Sequence, residues 1–412
     1  MATTTMTTVD NILKEVYEGD VNDQLQSDVT ALKRIERSSE GVTHHVGGKY
    51  VRFPIRTKRN HGIGARNENT PLPQAGTQGY EDAQVKLKYQ YGSIELTGQA
   101  MELADKDYQT FASALDQEID GIKEGIGKDQ ARQVYGTNLG VMGLATAAGT
   151  TSTFVLPNEH AIYLEIGMIV DVHDSTSVVG AEVTLGTDRE ITNIVEGALN
   201  TTVTFSSPVL SAATAAGDMI VRAGNFNKEI TGLSQIVNDA GILYDINPST
   251  VPVWKSTVRG NSGTPRALSE GLMIETTHRI RRLGGGMPTV AFCGLGVQRA
   301  YFNLLVQQRR QTNTTEFTGG FKGLAFVTDK GEIPIISDVD CQPNRMYFLN
   351  EKELKLYNAG DWSFMDRDGS KWQRKITSAG KFDAYEATLY QYQELGTHRR
   401  NAHAVLTDLI EG

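Results

Sequence analysis

Between residues 108 and 126 apolar positions recur every three or four residues: Tyr108, Phe111, Ala112, Leu115, Ile119, Ile122 and Ile126. That spacing lays them along one stripe of an amphipathic helix. A helix of about 28 residues would be roughly 42 Å long. Asp105 or Asp107 can cap its start, because a short carboxylate accepts the unpaired amide hydrogens there. Gly121, Gly125 and Gly127 oppose the helix by ~1 kcal/mol each relative to alanine. It therefore needs tertiary support, and its small residues also permit a close crossing.

Before this helix the pattern alternates. Residues 49–59, KYVRFPIRTKR, form an extended polar run. A tip rich in glycine and proline follows, from Gly62 and Gly64 through Pro71 and Pro73 to Gly76 and Gly79. A second run, 85–91, returns. Two such runs around a turn-rich tip predict a long β-hairpin. Its strands hold too few apolar residues to bury both faces, and a two-stranded hairpin is marginal alone in water. It must lie on something else, and another copy of the chain is the natural candidate. Lys49, Arg52, Arg56, Lys58, Arg59 and Arg66 fall in 49–66 with no acid between them, and Lys86 and Lys88 stand on the returning run. These eight cations are the candidate inter-subunit contacts. The same run also reads as a contact to packaged nucleic acid or as a solvated face.

Elsewhere the pattern is shorter. Residues 1–48 open with a threonine tract and hold two short helical patterns, 9–17 and 25–35, without an independent core. Residues 151–222 contain no lysine, nine acids and only Arg189 and Arg222 as cations. Short β-type runs at 169–172, 183–185, 191–195, 202–205 and 219–221 predict a small barrel or sandwich with an acidic surface. No loop in it has the ligand spacing of a calcium loop. Helices are expected at 265–283 and 297–308. Strands are expected at 289–293, 323–327, 333–337 and 346–349, which together suggest a mixed sheet flanked by helices. An aromatic run at 382–393 reads as a long strand. Residues 399–406 read as a final strand paired back into the domain of the long helix.

Composition narrows the class. With 39% hydrophobic and 22% charged residues among 412, the chain can bury a real core. A formal net charge of −9 argues against a dedicated nucleic-acid binder. No apolar run approaches the ~20 residues that span a bilayer, so no membrane is implied. The two cysteines, Cys293 and Cys341, suit a reducing cytosol. Chemistry is sparse. Gly294-Leu295-Gly296-Val297-Gln298-Arg299 follows a strand and opens a helix, but Arg299 stands where a dinucleotide turn needs glycine. The histidines at 44, 45 and 160 lack a helical partner for a metal. Cys293 sits in a buried strand, which suits an inert thiol. No catalytic, cofactor or metal residue is assigned. The rival from another class is an α/β enzyme centred on residues 294–299.

The order of parts resembles the major capsid proteins of tailed bacteriophages with the Hong Kong 97-like fold. The local wording that carries the resemblance is GKYVRFP at 48–54, LPQAG at 72–76, YGSIELTGQ at 91–99, MYFLN at 346–350 and RRNAHAV at 399–405. The resemblance implies an α+β chain divided as N-terminal arm 1–48, extended hairpin loop 49–100, spine helix and peripheral domain 101–150, inserted β-barrel-like domain 151–223, axial domain 224–335 and return to the peripheral domain 336–412. It implies pentamers and hexamers of an icosahedral head around double-stranded DNA, located in the virion and assembled in the bacterial host cytoplasm. Because the fold is expected from the sequence to start near residue 10, a separate scaffolding protein is implied, with a portal and a cement protein as further partners. Some relatives cross-link a loop lysine to an asparagine. Lys86 and Lys88 lie in that loop, but no asparagine with an activating glutamate matches. An encapsulin-like compartment shell is the other reading of the same fold.

Overall fold

The computed structural model describes residues 30–31, 34–35, 43–44, 50–97, 99, 108–178, 182–309, 325–328, 331–360, 362–366, 371–377 and 380–412. The arm pattern at 9–17, the capping aspartates at 105 and 107, and Lys49 lie outside them. Of the second arm pattern, Ala31 and Ile35 are buried in the main core.

The strand Gly380–Thr397 organises the first of three six-stranded sheets. Eighteen residues at ~3.3 Å each reach roughly 60 Å. Along one edge it pairs antiparallel with Lys88–Thr97, from Gln393 opposite Lys88 to Ala384 opposite Thr97. Along the other edge Leu354–Asn358, Ser363–Phe364 and Gln373–Thr377 follow one another. The expected long helix runs from Tyr108 to Tyr135 and crosses one face of this sheet. Gly92 is needed for that contact: a Cβ there would stand 2.7 Å from the Ile126 side chain. Gln130 and Gln133 reach Gln90, and Gln130 also reaches Gln391, so the polar end of the contact is satisfied. A Cβ on Gly121, Gly125 or Gly127 would meet nothing within 4 Å. The close crossing these glycines would permit is not made among the described residues.

The second sheet holds the strands expected in the acidic segment and also takes in Val141–Leu144, ahead of the expected start at 151. Its strand order is Val141–Leu144, Met219–Arg222, Ile169–His173, Thr184–Glu196, Asn200–Phe205 and Thr153–Pro157. A bridge between Ala147 and Val155 brings its two ends together. Two expected runs, 183–185 and 191–195, are one bent strand. Asp188 takes a positive φ of 52° in its middle, and Asp171 Oδ1 accepts the Asp188 N–H at 2.8 Å. The acids of this domain hold turns: Asp171 Oδ2 accepts from Gly224 N, and Asp218 accepts from Ser175 N and Ala215 N.

The third sheet is mixed, in the order Thr257–Arg259, Ala404–Leu406, Met346–Leu349, Val290–Cys293, Gly331–Ser337 and Ala325–Thr328. Helices Glu270–Arg282 and Leu295–Arg309 flank it. Two expectations are corrected here. The final strand does not return to the domain of the long helix; it pairs with Thr257–Arg259 and with Met346–Leu349, which lies in the mixed sheet beside Val290–Cys293 as its pattern suggests. Residues 336–412 therefore serve two sheets. The helix expected at 265–283 begins only at Glu270, because Ser269 accepts the Leu272 N–H as its N-cap and Arg266 is bridged to Leu409.

One core joins these parts. Val134 and Tyr135 from the long helix meet Ile230, Leu233 and Ile236, Phe292 and Tyr347 of the third sheet, and Leu356 and Leu395 of the first. Gly232 sits in the tightest spot: a Cβ there would be 2.3 Å from Gln133 O and 2.4 Å from Gly136 O. Backbone cannot swing aside as a side chain can. Gly232→Ala is therefore expected to cost about 2 kcal/mol or more, measured as a lower denaturant midpoint with an unchanged slope.

Candidate self-association surface

The hairpin pairs Tyr50–Lys58 with Gly79–Lys86, from Tyr50 opposite Lys86 to Arg56 opposite Tyr80. The sequence pattern carries the returning strand on through Tyr91. Instead pairing breaks at Leu87, and Lys88–Thr97 enters the first sheet. The period of two places Val51, Phe53 and Ile55 on the same face as Ala83 and Val85. That face packs on Leu243, Tyr244, Ile246, Trp254 and Tyr357. Gln84 N donates to Tyr244 O at 3.1 Å, and the Phe53 and His398 rings lie 4.5 Å apart. The base of the hairpin is thus covered by its own chain, which corrects the expectation that another copy must cover it.

The opposite face carries Arg52, Pro54 and Arg56, all exposed. No acid lies within 49–66, but the partner strand supplies one across the ladder: Asp82 lies 3.9 Å from Arg52, and Gln84 Oε1 also accepts from Arg52. Beyond the strands the two limbs of the tip touch. A Cβ on Gly62 would be 2.7 Å from Gly76 N, and Asn60 Oδ1 accepts the Gly62 N–H at 2.7 Å. Arg66 donates to Pro71 O and Ala65 O, so its guanidinium staples the tip. The tip leaves Ile63 85% and Leu72 83% exposed.

The eight candidate cations therefore divide. Arg56, Lys58 and Arg59 are exposed and form no ion pair among the described residues. Lys86 lies 3.5 Å from Asp245. Lys88 Nζ donates to Asn227 O at 2.8 Å. It faces Glu394, whose carboxylate accepts from Thr231 N at 2.6 Å and Leu395 N at 3.1 Å. Burial pushes Glu394 up to about 8 and lowers Lys88. Lys86 and Lys88 thus root the hairpin in its own chain, while the strand face and tip stay exposed. Asp245, Asn227 and Glu394 are too far away in sequence for any local pattern to pair them with these lysines.

At the turn of the rival enzyme reading Gly294 lies against the backbone of Gln342 and Pro343, and a Cβ on Gly296 would come within 2.6 Å of the Glu411 side chain. A cavity of about 270 Å³ opens beside this turn, but Glu159, Asp340 and Glu411 line it, and carboxylates do not suit a pyrophosphate. Burial pushes the Cys293 thiol up to about 12, which keeps it protonated and unreactive. No group of three potential metal-ligating side chains occurs among the described residues.

Comparison with known proteins adds the family. Residues 210–409 match the family model of the SU10 major capsid protein. No curated protein sequence matches the chain. Among solved structures, the capsid asymmetric unit of cyanophage A-1(L) is similar with a TM-score of 0.62 at 13% identity, over 98% of this chain and 99% of that one. Mycobacterium phage Bobi gives 0.49 at 10% identity over 100% of both chains. The SrpI encapsulin of Synechococcus elongatus gives 0.44 at 9%, over 99% of this chain and 96% of that one. The match over 210–409, just under half of the chain, and the likeness in fold to a phage capsid over nearly the whole chain support a tailed-phage major capsid protein with the Hong Kong 97-like fold.

Proposed function

We propose that this structural capsid protein assembles, as pentamers and hexamers, into an icosahedral head that encloses double-stranded DNA, with the hairpin tip as a principal contact between copies. The observation that carries this reading is the tip itself. Ile63 and Leu72 stand in water at the end of a rigidly rooted arm, with Arg56, Lys58 and Arg59 beside them. Exposed apolar groups rimmed by unpaired cations suit a site buried on assembly. Interfaces of standard size bury roughly 1,600 Å², and an arm reaches that area without a larger core. Assembly in the host cytoplasm with a separate scaffolding protein and a portal, and a cement protein on the acidic barrel, completes the reading. The capsid family match favours a genome over an enzyme cargo.

Electron microscopy of the purified chain beside size-exclusion chromatography tests it. Closed shells, or rings of five and six, are expected. A monodisperse monomer of 45.1 kDa that no scaffolding partner converts to shells would sink the reading. Ile63→Asp with Leu72→Asp is expected to abolish shells and leave the thermal midpoint unchanged, because these side chains are almost fully exposed in the free chain.

A further inference from the structure

The chain is acidic, with a net charge of −9, yet one end of the helix Glu270–Arg282 concentrates positive charge. His278, Arg279 and Arg282 lie on its exposed side within its last turns. The chain then turns through Gly284, at a φ of 84°, and Gly285, where a Cβ would meet Asn401 O at 2.1 Å. This tight exit draws a further cation to the same place. Arg399 donates to Gly284 O, and Asn401 Nδ2 donates to Leu283 O at 3.1 Å. Gly286 faces the Asn350 amide, and Asn350 Oδ1 accepts the Lys352 N–H at 3.2 Å. The neighbouring carboxylates are already engaged. Glu351 is 2.6 Å from Arg34 and accepts from Thr289, and Glu353 is 3.4 Å from Arg399. Arg279, Arg282 and Lys352 form no ion pair among the described residues.

A helix C-terminus favours basic residues through its dipole. That accounts for Arg279 and Arg282 singly. It does not account for Arg399, which reaches the same end from another element, or for the exposed Lys352, whose backbone is held by the Asn350 side chain beside Gly286. Resting on the reading of a DNA-filled head, we infer that this cationic end is where the shell wall meets the phosphate backbone of packaged double-stranded DNA, and hence that it faces the lumen. Duplex DNA carries one negative charge per ~1.7 Å of axis. On an acidic subunit such a patch is where the duplex is attracted rather than repelled. Contact through point charges and guanidinium forks reads no sequence, as a container for a whole genome requires.

The test is a titration of the full chain with a short fluorescent DNA duplex between about 50 and 200 mM salt. Arg279→Gln with Arg282→Gln and Lys352→Gln is expected to weaken binding tenfold or more at the lower salt. It should also flatten the logarithmic salt dependence by about 2–3, since each lost phosphate contact removes ~0.9 from the slope. Arg56→Gln with Lys58→Gln and Arg59→Gln is the control and should change little. Equal binding by the helix-end variant and the wild type, or loss only in the hairpin variant, overturns the inference. The side of the shell is read with Arg282→Cys and a bulky maleimide polymer, to which the buried Cys293 and Cys341 are silent. The new thiol should be protected in closed shells and react once they are dissociated; labelling of intact shells overturns the lumenal placement. If no shells form, the assembly reading fails, and the duplex titration still decides whether this end binds DNA.

Discussion

Arg400→Ala is expected to lower stability by about 3–5 kcal/mol, the range for stripping a partner from a buried charged network. The Arg400 side chain is fully buried, yet no carboxylate among the described residues forms an ion pair with it, and Asp239 acts on it only at longer range. Its guanidinium instead donates to five backbone carbonyls: Gln235, Ile236, Ala240, Gly241 and Trp254. Burial pulls it down to about 10, which leaves it charged at neutral pH. Alanine would take a donor from all five carbonyls, of which Ile236 O keeps Ser256 Oγ at 3.2 Å, and leave a cavity. Lysine keeps the charge, but its three donors on one nitrogen cannot span a fork of this width, so Arg400→Lys should recover only part of the loss. The effect should also spread. Arg400 fixes the loop 235–241, and Leu243, Tyr244 and Ile246 just beyond it form the platform under the hairpin. Limited proteolysis of Arg400→Ala should therefore nick the hairpin faster than in the wild type. A calorimetric midpoint within a degree of wild type would show that the carbonyls find water instead.

The platform explains what can be read from the sequence. The long helix, the hairpin strands and Gly380–Thr397 are legible because each carries its period over many residues. The exposed tip is legible because glycine and proline mark it. What lies beyond local pattern is destination. Nothing near Tyr89 says that pairing changes partner at Leu87, since both sides of the break alternate alike. The final strand is expected in the wrong sheet because three residues, Ala404–Leu406, carry no information about their neighbours. Barrel strands Val141–Leu144 and Thr153–Pro157 escape notice among alanine, glycine and threonine, whose small side chains give no hydrophobic contrast. Of the eight candidate cations, composition alone cannot tell the three that face water from the two that root the arm. That distinction comes from Asp245, Asn227 and Glu394, which only the fold brings near.

Acid should weaken the junction between the first and third sheets through His403. Its ring is fully buried, and Nδ1 faces the Asn350 N–H at 3.3 Å. A backbone N–H can only donate, so Nδ1 accepts, the proton sits on Nε2, and Nε2 donates to Thr397 Oγ1 at 3.0 Å. A second proton on Nδ1 would set one N–H against another in a site without water. Burial accordingly holds His403 down to about 3, against about 6.5 in an unfolded chain. The folded state resists protonation, so its contribution is intact above about 6.5 and lost as pH falls toward 3. Glu394, raised to about 8, and Asp340, raised to about 6, act with the opposite sign. Each favours the folded state more as pH falls from its raised value to the ordinary carboxylate range. They oppose His403 above about pH 4.5 and add nothing further well below it. Comparing wild type with His403→Gln cancels both carboxylates, because they are common to the two proteins. The wild type should lose about 3 kcal/mol relative to the variant between pH 7 and pH 4, read from urea midpoints at each pH. Parallel pH profiles would mean that the imidazole already carries its proton in the folded chain, and that Asn350 and Thr397 hold it in another way.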